Sequence, residues 1–157
     1  MKFAEHPLWL VGFRPFFALA CLAGLSLPLL WAAVFSGALA LPAASITPLQ
    51  WHAHEMFFGF GWAVLGGFLL TATKNWVSVR GHHGASLAYL AAAWLLERVV
   101  MATAGSWPGW LFHLGSNLFI GSIIVMLLHT LIRYRAQDSY RDNYYFLLVL
   151  PAFLVAK

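Results

Sequence analysis

The sequence predicts an all-α fold: a polytopic transmembrane helical bundle with about four complete spans and a partial fifth. Three observations carry that reading. Of 157 residues, 62% are hydrophobic and 9% are charged, whereas a soluble domain carries roughly 25% charged residues to cover its water-facing surface. Apolar runs of membrane-spanning length recur along the chain. Lysine and arginine gather in alternate connections between those runs, as the positive-inside rule requires. The net charge of +4 is spread over loops, so the expected surroundings are a lipid bilayer and no nucleic acid. One cysteine, Cys21, excludes a disulfide framework.

Each element follows from local signals. Residues 1–15 carry Lys2, Glu5, His6 and Arg14. The apolar run after Arg14 is too long for a signal-peptide core and no small-residue cleavage site follows, so it is read as a retained first span, about 16–39. Pro28 lies in its middle and predicts a kink. Residues 40–50 are uncharged. Thr47 then offers a cap, Pro48 suits the first helical position and Gln50 can close a capping box, so the second span is placed at about 48–73. A loop with Lys74 and Arg80 follows. The third span, about 86–104, carries Glu97 and Arg98. GSWPGW at 105–110 makes a tight uncharged turn with aromatic anchors. The fourth span covers about 111–132, and the next loop sets Arg133, Arg135 and Arg141 against Asp138 and Asp142. The last apolar segment, 144–157, is too short to cross ~30 Å of hydrocarbon at ~1.5 Å per residue. The chain is therefore read as a single transmembrane region, 1–157, forming the N-terminal part of a larger membrane protein.

The loops at 74–85 and 133–143 carry the basic residues, while 40–50 and 105–110 carry none. The positive-inside rule then places the N-terminus and the two basic loops in the cytoplasm. His52, His54, Glu55 and His113 fall near the outer surface.

The densest cluster of donor atoms is WHAHEMFFGF at 51–60. His52 and His54 stand about 200° apart around a helix axis, so each must face a different neighbour. Glu55, Gly59, Ala63, Gly67 and Thr71 recur every four residues, a ridge of mostly small groups that lets another helix, or a flat macrocycle, lie close. His113 starts the fourth span on the same side of the membrane, and an axial haem pair needs imidazoles from two helices. His52 or His54 with His113 meets that requirement. His129 lies sixteen residues further on, roughly 24 Å deeper. His6, His82 and His83 read as interfacial anchors. Glu97 and Arg98 are ionisable groups inside a span and so candidate functional residues. Adjacent helical positions point about 100° apart, so each is expected to pair with another helix, Arg14 being a candidate for Glu97.

GFRPFF at 12–17, WHAHEMFFGF at 51–60, GGFLLTATKNW at 66–76 and, more weakly, DNYYFLLVL at 142–150 together resemble the NnrS family of bacterial membrane proteins. The stretches come in the expected order and span nearly the whole chain. The resemblance implies a haem- and copper-associated protein of the bacterial inner membrane, linked to nitric oxide and nitrosative stress. Its motif residues here are Arg14, His52, His54, Glu55, Lys74, Asn75 and Trp76. Members are longer, in keeping with an N-terminal part.

The leading expectation is thus a haem and copper protein acting on nitric oxide or another small molecule. His52, His54 and His113 are the candidate metal ligands, Glu55 orients a ligand or carries a proton, and Arg14 is a further cofactor contact. The alternative is a transporter or channel whose path is lined by Glu55, Glu97 and Arg98.

Overall fold

The computed structural model describes residues 5–41, 46–134, 143 and 145–157. It is helical throughout: a short 3-10 turn, Pro7–Trp9, precedes α1 (Phe13–Phe35), α2 (Pro48–Trp76), α3 (Ala85–Ala102), α4 (Gly109–Arg133) and α5 (Phe146–Ala156). Helices α1 to α4 are each long and apolar enough to cross a membrane. Arg135, Asp138, Arg141 and Asp142 lie outside the described residues.

α1 starts three residues earlier than the sequence suggests and ends four earlier. Pro15 is tolerated because the first helical turn has no N–H to lose. The Phe13 N–H is satisfied from α2 instead, donating to Thr71 Oγ1 at 3.0 Å. Gly37, at φ +75°, stops the helix in the left-handed region. α2 begins as its capping signals predict. Thr47 Oγ1 accepts from the Gln50 N–H at 3.2 Å, and the Thr47 N–H donates to Gln50 Oε1 at 3.0 Å. It is not one uniform α-helix: Glu55–Gly61 winds as a π-helix between α-helical Pro48–His54 and Trp62–Trp76.

The helices alternate in direction. Phe13 of α1 meets Thr71 of α2, while Trp31 near the other end of α1 stacks on His52. Tyr89 of α3 bonds Ser122 of α4 at 2.8 Å, and Phe146 of α5 stacks on Trp76. The described stretches of 36–47 and 103–108 therefore share one end of the bundle, and 77–84 lies at the other. The core runs along the axis through Phe16, Trp62, Leu90, Phe119 and Ile123, all nearly inaccessible. Close approach on α2 is set by glycine. A Cβ on Gly66 would stand 2.6 Å from Ile123 of α4, and one on Gly67 would stand 2.8 Å from Phe16 of α1. Helix packing thus occupies that half of the predicted ridge. The fifth segment packs Leu150 into the core and brings its end, Lys157, to the middle of the bundle.

Candidate functional site

The cap at Thr47 and the first two turns of α2 aim the donors of residues 51–56. The two histidines diverge. His52 turns to α1, its ring stacked on Trp31 at 4.2 Å and 16°, with Nδ1 buried and without a hydrogen-bond partner. His54 turns to α3, its Nε2 3.1 Å from Glu97 Oε1.

Around that contact, five ionisable side chains from two helices, α2 and α3, and the end of the fifth form one cluster. Glu55 and Glu97 are 1% and 0% exposed. Arg98 lies between them, Nε 2.9 Å from Glu55 Oε2 and Nη2 3.3 Å from Glu97 Oε2. None of its N–H bonds is aimed at an oxygen, so these are ion pairs without hydrogen bonds. Lys157 Nζ contacts Glu97 Oε1 and the Ser116 carbonyl. Charges removed from water this completely persist only when each meets an opposite one. Two carboxylates facing one guanidinium and one ammonium satisfy that condition.

The π-helix gives the cluster its room. Its wider turns release the Gly59 carbonyl to accept from Trp94 Nε1 of α3 at 2.9 Å, and the Arg98 guanidinium stacks over the same indole, 4.9 Å from its centroid. A Cβ on Gly59 would stand 2.7 Å from Arg98 Nη1 and 2.8 Å from Glu55 Oε2. Gly59 therefore belongs to the charged cluster, whereas Gly66 and Gly67 belong to helix packing.

Two cavities flank the cluster. One, of about 400 Å³, is lined by His54 and Gln50 of α2, His113, Ser116 and Asn117 of α4, and Lys157, with Ile46, Met101, Phe112 and Leu154 as apolar walls. The other, of about 240 Å³, lies between α1, α2 and α3 and reaches Glu55 and Arg98.

The structure thus brings together His54, Glu55, Glu97 and Arg98, with His113 across the larger cavity from a different helix. It leaves His52 on the α1 side. Arg14 stands apart, exposed at the far end of α1, where it donates to the Pro7 carbonyl at 2.8 Å. The expected Arg14–Glu97 pair does not form, because Arg14 lies at the Thr71 end of α2 and Glu97 at the His54 end, where His54, Arg98 and Lys157 hold it. Glu97 and Arg98 each pair with another helix as expected, through His54 and Glu55 of α2. They also meet each other, because the long arginine side chain folds back across the roughly 100° between them. Lys157 and the π segment were not anticipated. The pair Gly59 and Gly61 within an aromatic run, poor α-helix sequence, was the one available signal for the latter.

Among the described residues, no three His, Cys, Asp or Glu side chains gather as a closed metal site. A family model described as NnrS protein matches residues 7–157. No curated protein and no solved structure matches the chain.

Proposed function

The chain belongs to the NnrS family, and from that premise we propose that it is a haem- and copper-associated membrane protein of nitric oxide metabolism or protection from nitrosative stress. His54 and His113 are the haem-facing imidazoles in this reading. The donor set suits a group held by two imidazoles from facing helices better than one caged by many side chains. The observation that carries the reading is the His54–Glu97 contact at 3.1 Å on the wall of the cavity that His113 also lines. A ligating histidine characteristically gives its other ring N–H to a carboxylate, which fixes the tautomer and raises ligand basicity.

Haem held by these two imidazoles would supply a redox-active iron for electron transfer in nitric oxide chemistry. The protein's own groups do the rest. Glu97 holds the proton on His54 Nε2 and leaves Nδ1 as the free lone pair. Arg98 and Lys157 keep the Glu97 carboxylate compensated. Ile46, Met101, Phe112 and Leu154 keep water from the cavity wall, while Gln50 and Asn117 offer amides to a polar edge. His52, with a buried and unpartnered Nδ1, is the candidate copper donor. In this reading the chain lies in the bacterial inner membrane, as membership of the family implies. The positive-inside rule orients it with its N-terminus and the 77–84 end cytoplasmic and the larger of the two cavities toward the outer side.

The test is an absorption spectrum of the purified protein with metal analysis. A Soret band is expected, shifted or lost in His54→Ala and His113→Ala, with copper content reduced in His52→Ala. A Soret band unchanged in both haem-ligand variants would overturn the assignment. The buried Glu55–Arg98–Glu97 array also supports a second reading, a transporter or channel. Absence of both cofactors after expression with both supplied, together with uptake lost in Glu97→Gln, would favour it.

A further inference from the structure

We propose that the cavity of about 240 Å³ between α1, α2 and α3 binds the head group of a lipid-soluble quinone or quinol. It shares no lining residue with the cavity of His54 and His113, so the proposal stands apart from the haem reading.

The cavity's walls are mostly apolar. The Trp94 indole N–H on its rim is taken by the Gly59 carbonyl, while Trp51, Glu55 and Arg98 bring polar atoms that make no hydrogen bond. Trp51 is 4% exposed and its Nε1–H meets no acceptor; Glu55 is 1% exposed and its Oε1 meets no donor. The Arg98 guanidinium on the same wall makes no hydrogen bond through any nitrogen. Buried polar groups in a folded protein are nearly always hydrogen-bonded, and exceptions call for an explanation. Here three meet at one cavity, and a bound molecule would serve them together. Their chemistry specifies it. Trp51 and Arg98 need an acceptor, and Glu55 needs a donor. An anion would meet the Glu55 carboxylate, and a cation would meet Arg98. A neutral head with a carbonyl or hydroxyl suits both.

The route in specifies the rest. Leu22, Leu30 and Leu95 line the cavity and are 57%, 41% and 48% exposed on the flank of the bundle, so entry is from the hydrocarbon. Drug-sized ligands occupy pockets from about 300 Å³ upward, and this smaller cavity suits a single-ring head with its tail left in the lipid. A membrane-dissolved ring that accepts hydrogen bonds as a quinone and donates them as a quinol meets each condition.

The experiment is calorimetric titration of the detergent-purified full chain with decylubiquinone. Saturable binding at one site is expected. Ser26→Phe, which fills the cavity from α1, should weaken it more than about tenfold. Trp51→Phe, which removes one N–H and keeps the bulk, should weaken it about three- to tenfold, the scale of one hydrogen bond. Val125→Ala, on the exposed face of α4, should bind as the parent does. Absence of saturable binding, or unchanged affinity in Trp51→Phe, overturns the proposal even if Ser26→Phe fails to fold. Native mass spectrometry showing a phospholipid that decylubiquinone cannot displace also overturns it.

Discussion

The two ends of this bundle use ionisable residues in opposite ways. Around His82 the chain is rich in them: Lys74, Arg80, His82, His83, His129 and Arg133 all fall at that end. Each is exposed or half-buried, and those whose contacts are seen bond to neutral partners. His82 lies 3.1 Å from Thr130 Oγ1 and His83 lies 2.8 Å from the Gly81 carbonyl. Around Glu97 there are fewer such groups, but Glu55 and Glu97 are fully buried and His54, Arg98 and Lys157 turn onto them. Histidine density in the sequence is thus a poor guide to a site. What separates the ends is whether charged groups are committed to one another in the interior.

That contrast can be broken most directly at Arg98. Arg98→Met leaves two buried carboxylates short of a counter-charge and should cost about 3–5 kcal/mol. The exposed Arg80→Met should stay within about 0.5 kcal/mol. Denaturant unfolding in detergent compares them, and equal costs would erase the distinction. Gly59→Ala comes next, at about 1–3 kcal/mol, because its Cβ intrudes on Arg98 and Glu55. A Cβ on Gly121 in α4 would meet nothing within 4 Å, so Gly121→Ala should be neutral or stabilising by up to about 1 kcal/mol. Thermal melts of the pair separate room for a charge from helix propensity.

The smallest effect belongs to the other end. Burial holds His82 below the usual histidine pKa, and the charges on His129 and His83 add to this. The unfolded chain therefore takes up the proton first. The stability contributed by neutral His82 is complete above about pH 6.5 and is lost as pH falls through the lower value in the folded protein. The melting temperature of the parent should drop more steeply than that of His82→Gln between about pH 7 and pH 5. Parallel curves would place the proton elsewhere.

Much of the fold was legible because it rests on local chemistry. Apolar run length gives the spans, and Thr47, Pro48 and Gln50 give the start of α2. The divergence of His52 and His54 follows from helical period alone, whatever each side chain binds. The pairing at Glu97 was not legible. Period places Cβ atoms, whereas a long arginine side chain reaches across it. Lys157 was hidden for another reason: nothing local says that a short apolar helix will carry its end into the middle of a bundle. The sequence also groups Gly59 with Gly67 by spacing, while the structure assigns them to different neighbours, because the π segment between Glu55 and Gly61 breaks the period on which that spacing relies.

The same segment divides the labour within α2. A π turn uses more residues per revolution than an α turn, so the stretches before and after it are out of phase. Trp62–Trp76 is clamped by α1 and α4 at glycine contacts and acts as a fixed post. Pro48–His54 is set at its own rotation and behaves like a separately keyed head on that post. Substitutions in the post therefore change how firmly the bundle stands, while an insertion or deletion in the seven π residues would re-aim both histidines at once without touching either.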